Sequence, residues 1–340
     1  LDDAARDRIV NHTVAFEGGH KNSYAACNRD AEYEGWFDAP RGKSKPAERT
    51  GKRHRASRYH SSGGFHIGLS YGAWQAAQEP GSLGTLLAQM RKADPIAFDE
   101  IFIQPAAGDA GTGLGAALWI DAQQNPDSQP WVQTHASLGP EYADEEIVAA
   151  LECYKLEFRR EDDICQEAAR LLSEGAILGW FQGRMEFGPR ALGGRSILGC
   201  PSYRGIANKI NEQIKFRERW RPFCPSVLDT VAKDMIQTDH PAPYMTITFE
   251  VSEEWNARIP EVVHEDGTSR VQIVEESTNP RYHALLKKME QLNGNGAVLN
   301  TSMNRRGEPM VCSPTDALNM FFGSDLEYLV LEDLLVTKRK

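Results

Sequence analysis

The stretch from Ala176 to Ser196 constrains the fold more than any other part of the chain. Its first seven residues, Ala-Ile-Leu-Gly-Trp-Phe-Gln, are mostly apolar, and this run predicts a buried strand. The strand leads into Gly183-Arg-Met-Glu-Phe-Gly-Pro-Arg-Ala-Leu-Gly-Gly-Arg-Ser196, where glycine and proline surround the arginines. Because glycine and proline are typical of tight turns, we predict a shaped turn that presents guanidinium groups.

A second cationic segment, Lys215-Phe-Arg-Glu-Arg-Trp-Arg-Pro-Phe223, follows that turn. On a β-strand its four alternating cations would share one face. A guanidinium group matches the paired oxygens of a phosphate or carboxylate, so we predict an anion site; a basic edge strand is the alternative explanation. The cations of the two segments are Arg184, Arg190, Arg195, Lys215, Arg217, Arg219 and Arg221.

Composition excludes several classes of protein. A chain of 340 residues is long enough for two domains, and 41% hydrophobic and 25% charged residues are typical of a soluble globular protein. No apolar run is long enough for a membrane span, and no secretory signal pattern occurs. The formal net charge of -10 argues against global binding to nucleic acid. The six cysteines form no CxxC pair, so we expect a reduced cytoplasmic protein without structural zinc.

The N-terminal part of the chain has a weaker pattern. Residues 41–58 contain eight Lys or Arg, one Glu and almost nothing apolar, which predicts a mobile loop; a patch for phosphate or nucleic acid is the alternative. Further on, Phe98–Gln104 predicts a strand, residues 105–115 a glycine-rich turn and Ala116–Ile120 a helix. This order is typical of phosphate-binding turns, although tight helix packing also explains the glycines. Asp109 in the turn is placed to bind a metal or to cap the helix.

The C-terminal half predicts an α/β domain with a mixed sheet. A helix begins at Asp144, and a second helix has apolar residues at i, i+4, i+7 and i+8 from Ile164 and ends before Gly175. We place the domain boundary between residues 164 and 165. The other predicted elements are strands Tyr244–Val251, Arg270–Val274 and Gly296–Asn300, and helices Ala284–Leu292 and Pro314–Phe322.

Four blocks of this half also form a recognisable series. They are Gln182–Leu198, Lys215–Phe223, His264–Gln272 and Leu299–Asn304. In this order they resemble the signature blocks of the nodulation- and antibiotic-type O-carbamoyltransferases, and the resemblance extends from about Phe98 to Lys340.

The resemblance implies both a fold and an activity. Residues 1–164 would form an incomplete RNase-H-like domain of the actin and sugar-kinase type, and residues 165–340 a YrdC-like α/β domain. The implied enzyme makes carbamoyl adenylate from carbamoyl phosphate and ATP, with Mg²⁺ accompanying ATP. It then transfers the carbamoyl group to a hydroxyl of a small-molecule natural product or glycan. By similarity, ATP and carbamoyl phosphate are bound by Arg190, Lys215, Arg221, Arg270, Asn300 and Ser302, and the first three are also assigned to catalysis.

The sequence departs from the family pattern at the metal site. Family members carry a His-x-x-x-His pair, but no two of the nine histidines here are four apart. Only Asp109 matches the remaining metal ligand, and the region before it is shorter than a full first domain. A single carboxylate rarely retains a transition metal, so we expect iron or another divalent metal to bind weakly or not at all. His60 and His66 are the first candidates for replacement ligands.

Two other functions stay open at this point. One is formation of carbamoyl or threonylcarbamoyl adenylate for tRNA modification or hydrogenase maturation, by relatives that lack the full set of blocks. The other is a non-enzymatic nucleic-acid-binding module that grips phosphates with a cation-faced strand, which the net charge disfavours. Within the blocks, Cys224 is expected to be a buried small residue. His264, close to Asp266, is either a general base or the donor of a structural hydrogen bond.

Overall fold

The computed structural model describes residues 102–125 and 132–338 of the chain. Leu1–Pro126 and Asp127–Lys340 form two compact units, and each is described by itself. The predicted loop at residues 41–58 and the strand residues 98–101 lie outside the described residues, as do His60 and His66. No helix among the described residues has the length and apolar character needed to cross a bilayer.

The described part of the first unit consists of a turn and a helix. A short 3-10 helix, Asp109–Gly111, leads into α1, Thr112–Gln124. The helix begins four residues before the predicted start, and residues 102–104 do not form the predicted strand. The backbone carbonyl of Asp109, not its carboxylate, accepts a hydrogen bond from Thr112 Oγ1 at 2.7 Å. The predicted capping role of the Asp109 side chain is therefore wrong.

The second unit is built on a mixed sheet of eight strands, as the sequence predicts for its class. The strands are β1 Phe158–Arg160, β2 Leu178–Phe181, β3 Arg195–Gly199, β4 Cys224–Leu228, β7 Gln272–Val274, β8 Ala297–Ser302, β9 Tyr328–Leu331 and β10 Leu334–Thr337. Their order across the sheet is β1-β10-β9-β2-β3-β8-β4-β7; the β9–β2 and β4–β7 pairs are parallel and the others antiparallel. Phe249–Glu250 (β5) and Thr268–Ser269 (β6) form a separate two-stranded ribbon.

Residues 132–338 contain seven helices beside these strands. They are α2 Asp144–Cys153, α3 Ile164–Ser173, α4 Ile206–Gln213, α5 Asp229–Ile236, α6 Glu253–Arg258, α7 Pro280–Asn293 and α8 Pro314–Phe322. Helices α3 and α7 pack against each other, and their apolar residues join Leu178, Trp180, Leu198 and Val298 of the sheet in one core cluster. Burial of this apolar face is the main stabilising contribution to such a layered fold.

Most predicted elements of this unit are confirmed, but some bounds differ. The predicted helices at Asp144, at Ile164 and at Pro314–Phe322 are present. The predicted strand Tyr244–Val251 is reduced to β5, and the strand predicted from Arg270 begins at Gln272. Strand β1 pairs with β10, Phe158 opposite Val336. The sheet therefore includes residues that precede the predicted boundary at 164/165.

Candidate functional site

One face of the sheet changes from apolar to polar along β4, β7 and β8. Ser226 lies opposite Gln272 on the neighbouring parallel strand, and Cys224 lies opposite Asn300 on the antiparallel one. Ser226 Oγ donates to Gln272 Oε1 at 2.6 Å, and Asn300 Nδ2 donates to Ser226 Oγ at 3.0 Å. Because side chains alternate along a strand, all four belong to the face that carries the apolar core further along. The polar end of this face forms the floor of the candidate site.

The arginine-rich loop between β2 and β3 is held by a buried carboxylate. Glu186 Oε1 accepts hydrogen bonds from the backbone N–H groups of Leu192, Gly194 and Arg195 at 2.7, 2.5 and 3.2 Å. Successive N–H groups that converge in this way form a nest suited to an anion. In this loop the anion is internal, so these N–H groups do not face a ligand phosphate.

The carbonyl groups of the same loop are also fixed. Side chains from three strands donate to them, namely Asn300 Nδ2 to Ala191 at 3.0 Å, Gln272 Nε2 to Leu192 at 2.9 Å and Trp180 Nε1 to Gly193 at 3.0 Å. Gly193 has φ 104°, and an added Cβ there would overlap the Tyr282 ring. Only glycine satisfies both conditions without strain. The loop is therefore specified on all sides before any ligand binds.

Three guanidinium groups gather around Cys224. Arg270 Nη2 donates to Cys224 Sγ at 3.0 Å, while Arg270 Nε is buried without a partner. Burial, together with the charge of Arg270, lowers the pKa of Arg190 to about 10. Burial and the charge of Arg221 lower the pKa of Arg217 to about 10. No described acidic side chain forms an ion pair with Arg190, Arg217 or Arg270, although the charge of Glu218 acts on Arg217, so no ion pair neutralises the cluster.

Arg195, the first residue of β3, directly follows the same loop and has a structural role. It is fully buried, and its guanidinium donates to the carbonyl oxygens of Gln182, Gly183, Gly194, Pro140 and Cys312. The group also lies over the Phe181 ring, 3.5 Å from its centroid. Every face of this cation is occupied by protein, which leaves no donor directed at a ligand.

Lys215 is buried beside the C-terminal end of β8. Its Nζ donates to the carbonyl oxygens of Ser302 and Asn304 at 2.8 and 2.9 Å, to Asn304 Oδ1 at 2.6 Å and to Ser302 Oγ at 3.3 Å. All these acceptors are neutral. Burial, with a contribution from Arg217, lowers the pKa of Lys215 to about 7. The structure thus joins Lys215 and Ser302, two of the residues assigned by similarity.

The predicted cation-faced strand is not formed. Residues 215–223 are a loop between α4 and β4, because the backbone at Phe216 has φ 48° and the chain turns there. Lys215 is buried and Arg217 partly buried, whereas Arg219 and Arg221 are exposed and paired with Glu212 and Glu218. The four cations therefore do not share one face, and the nucleic-acid alternative loses the geometry on which it depended.

Asn300 supplies an acceptor at the floor of the site. Its Nδ2 donates to the Ala191 carbonyl, which fixes the orientation of the amide, and its Oδ1 is buried without a hydrogen-bond partner. An unpaired buried acceptor costs free energy unless a donor reaches it. The site therefore offers one acceptor beside several cationic donors.

His264 is close to Arg270, and its tautomer follows from its neighbours. Thr268 Oγ1 donates its proton to Asp266 Oδ1 at 2.6 Å, so it accepts from His264 Nδ1 at 3.1 Å. This arrangement leaves Nε2 without a proton when the ring is neutral. Burial is the main factor that lowers the pKa of His264, and Arg270 adds to it.

The first unit offers no metal site among its described residues. No group of three or more His, Cys, Asp or Glu comes together anywhere in residues 102–125 and 132–338. Asp109 is exposed and has no described metal-ligating neighbour. We therefore derive no step through a metal.

Sequence reasoning missed Glu186, Ser226 and Gln272, and it left Arg217 out of the assigned site. A signal for two of them, Gln272 and Ser226, existed. Gln272 lies two residues after Arg270, which directly precedes β7, and Ser226 lies two residues after Cys224 on β4, so in extended chain the members of each pair share a face. Cys224 is buried, as predicted, and is one of five free cysteines among the described residues.

Comparisons with known proteins show what this chain is similar to. The profile of the family described as "Carbamoyltransferase C-terminus" matches residues 169–338. An uncharacterized protein of Synechocystis, sll1178, is 40% identical over 71% of this chain and 44% of its own length. Nodulation protein NolO of Bradyrhizobium diazoefficiens is 39% identical over 71% of this chain and 45% of its own length.

The chain belongs to the carbamoyltransferase family. It spans less than half the length of these two relatives. Among solved structures, full-length HypF in its phosphate- and nucleotide-bound form is similar, at 16% identity and a TM-score of 0.34, over 55% of this chain and 23% of HypF. A likeness of that size is too small to support an argument about fold or ligand.

Proposed function

We propose that the polar end of the sheet binds carbamoyl phosphate and, with ATP, converts it to carbamoyl adenylate for transfer to a hydroxyl group. One observation carries the proposal. The guanidinium groups of Arg190, Arg217 and Arg270 share a site without an acidic partner among the described residues. Like charges in a buried site raise the free energy of the unliganded protein, and a bound dianion removes that cost.

The remaining groups distinguish carbamoyl phosphate from phosphate alone. The carbamoyl group ends in an NH₂ donor, which a guanidinium cannot accept. Asn300 Oδ1, buried without a partner, provides the required acceptor. Ser302 lies two residues after Asn300 at the end of β8, and Lys215 Nζ donates to it there. We assign the carbamoyl group to Asn300 and the phosphate to the arginines.

The proposed chemistry has three steps. Water cleaves carbamoyl phosphate to carbamate and inorganic phosphate. A carbamate oxygen then attacks the α-phosphorus of ATP, which carries Mg²⁺, and pyrophosphate leaves. An acceptor hydroxyl finally attacks the carbamoyl carbon, AMP leaves and the hydroxyl proton passes to solvent. Negative charge develops on oxygen in each step, and fixed guanidinium groups stabilise it without reorganisation. The acceptor class, a natural product or glycan, comes from the family resemblance.

The test is carbamoyl-phosphate-dependent release of pyrophosphate from ATP by the full chain. Arg270→Ala should reduce the rate about ten- to a hundredfold, because a charge-assisted contact to a buried anion contributes roughly 1.5–3 kcal/mol. Arg170→Ala is the matched control, since it removes an exposed arginine paired with Glu167 and Glu174. Equal rates for the two variants would overturn the assignment of the site.

A further inference from the structure

We propose that Glu186 is the positioning residue of this site. Its carboxylate takes the place of an anion in the loop that leads from Arg190 to Arg195, and it thereby fixes the Arg190 guanidinium before a ligand arrives. The identity of the ligand rests on the proposed function; the positioning role rests on the contacts of Glu186 itself.

The contacts show a carboxylate used as a structural anion. Glu186 is 5% exposed, and Oε1 receives three backbone N–H groups. Three such bonds to one oxygen give a charge-assisted clamp that is stronger than bonds between neutral groups. They close the part of the loop that follows Arg190 directly. A shift of about 1 Å in a guanidinium at this position weakens binding markedly.

A purely electrostatic role for Glu186 predicts the opposite change in anion affinity when its charge is removed. Glu186 forms no ion pair with a described cation, and the charges that act on the pKa of Arg190 are those of Arg270 and Cys224. If Glu186 acted only through its negative charge, neutralising it would strengthen the binding of an anion. If Glu186 positions the loop, neutralising it weakens anion binding, because the clamp loosens.

The loop keeps other contacts when Glu186 is changed. Asn300, Gln272 and Trp180 still hold the carbonyls of residues 191–193. We therefore expect the loop to relax locally rather than unfold. Glu186→Gln keeps the shape and one acceptor oxygen, so its effect should lie between wild type and Glu186→Ala.

The experiment measures phosphate affinity and loop protection on the full chain. Calorimetry with inorganic phosphate should give a Kd raised about tenfold or more in Glu186→Ala and by a smaller factor in Glu186→Gln. Amide hydrogen exchange should increase in peptides that cover residues 187–196. In turnover, KM for carbamoyl phosphate should rise while KM for ATP stays within about twofold of wild type.

Glu332→Gln is the matched control. Glu332 Oε1 accepts the N–H of Gly183 at 2.6 Å, so this change also weakens a carboxylate that holds backbone, but at the other end of the loop. It should leave phosphate Kd and KM unchanged.

The outcomes separate this proposal from the proposed function. Phosphate binding that is weakened by Glu186→Ala in a protein without carbamoyl-dependent turnover would support positioning and overturn the function. Turnover with an unchanged or tighter phosphate Kd in both Glu186 variants would support the function and overturn positioning. Equal weakening by Glu332→Gln would also overturn it, because the effect would then be general softening of the loop.

Discussion

Arg190 and Arg195 lie at the two ends of one short segment of loop, and their surroundings are opposite. Arg195 is fully buried and donates to five backbone carbonyls. Arg190 is partly buried, yet it forms no hydrogen bond or ion pair with a described residue, and Arg270 is close enough to lower its pKa. The fold supplies hydrogen-bond acceptors for the guanidinium of Arg195, whereas no described residue supplies one for the guanidinium of Arg190.

This difference teaches how to separate structural from binding arginines. Burial alone does not separate the two classes, since both side chains are at least partly withdrawn from water. The number of hydrogen-bonded donors does separate them, because a buried cation without acceptors raises the free energy of the unliganded protein. Such a cost is retained where it favours a ligand. The comparison therefore predicts that stability depends on Arg195 and binding on Arg190.

The largest effect is expected from Arg195→Ala. The change leaves a cavity beside Phe181 and removes a donor from five carbonyls, of which those of Gly194 and Pro140 keep a backbone N–H, so it should lower the free energy of unfolding by about 3–5 kcal/mol. Urea denaturation of the full chain measures this. Arg170→Ala, which removes an exposed ion-paired arginine, should change it by less than about 1 kcal/mol. If Arg195→Ala were as stable as the control, Arg195 would not have the structural role that the comparison assigns to it.

Arg190→Ala should have the converse effect. Carbamoyl-phosphate-dependent pyrophosphate release should fall about ten- to a hundredfold, which corresponds to roughly 1.5–3 kcal/mol. The free energy of unfolding should stay the same or rise, because an unpaired buried cation is removed. Arg184→Ala is the control in the same loop, since Arg184 is exposed and, within the described part of the chain, donates only to the Leu138 carbonyl, at 3.5 Å. If Arg190→Ala instead unfolds the protein and Arg184→Ala does not, Arg190 is structural too.

The comparison also explains how much the sequence could predict. Helices α1, α2, α3, α7 and α8 were predicted, because their apolar period and capping residues are local; α8 has the predicted bounds, with Ser313 and Asp316 forming a capping box. Helices α4, α5 and α6 were not predicted. Strands β1, β3, β4, β6, β9 and β10 were not predicted. Of these, β3, β4, β9 and β10 are short and largely buried, so their sequences show no regular alternation of polar and apolar residues.

The site was predicted in part, for the same physical reason. Arginines beside glycine and proline indicated an anion site, and the family blocks named Arg190, Arg270 and Asn300 among its residues. Nothing local distinguished Arg195 from Arg190, because the difference depends on carbonyls brought in by distant segments, such as those of Pro140 and Cys312. The alternation of cations in residues 215–223 suggested a strand. The segment forms a loop instead, because Phe216 has a positive φ and Arg219 and Arg221 pair with nearby glutamates.

Lys215 sharpens the comparison because its charge is adjustable. Burial lowers its pKa to about 7, so the ammonium is charged below pH 7 and neutral above it. If the charge assists anion binding, sulfate affinity should fall roughly fivefold between pH 7 and pH 8. Sulfate remains a dianion over this range, so its own charge does not change. Stability should change the other way, rising between pH 7 and about 10.5, because the unfolded lysine keeps its proton there and the folded one does not.

Lys215→Arg is the control for that titration. A guanidinium stays protonated over the whole range, so both pH dependences should flatten. The persistence of the wild-type slope of sulfate affinity in this variant would assign the titration to another group and leave Lys215 with a structural role at Ser302 and Asn304.

The smallest effect is expected from Arg221, which the family resemblance assigns to the site but the structure leaves exposed and paired with Glu218 at 3.4 Å. Exposed ion pairs contribute about 0–1 kcal/mol, so Arg221→Ala should reduce pyrophosphate release by less than about fivefold. Arg219→Ala is its match, because Arg219 is an exposed arginine of the same loop and pairs with Glu212. Similar small losses in both variants would confirm that binding depends on Arg190, Arg217 and Arg270. A loss of tenfold or more in Arg221→Ala alone would mean that residues 215–223 rearrange when the ligand binds and that Arg221 exchanges Glu218 for the bound anion. The donors that lack acceptors in the unliganded protein would then be only some of the residues that bind the anion.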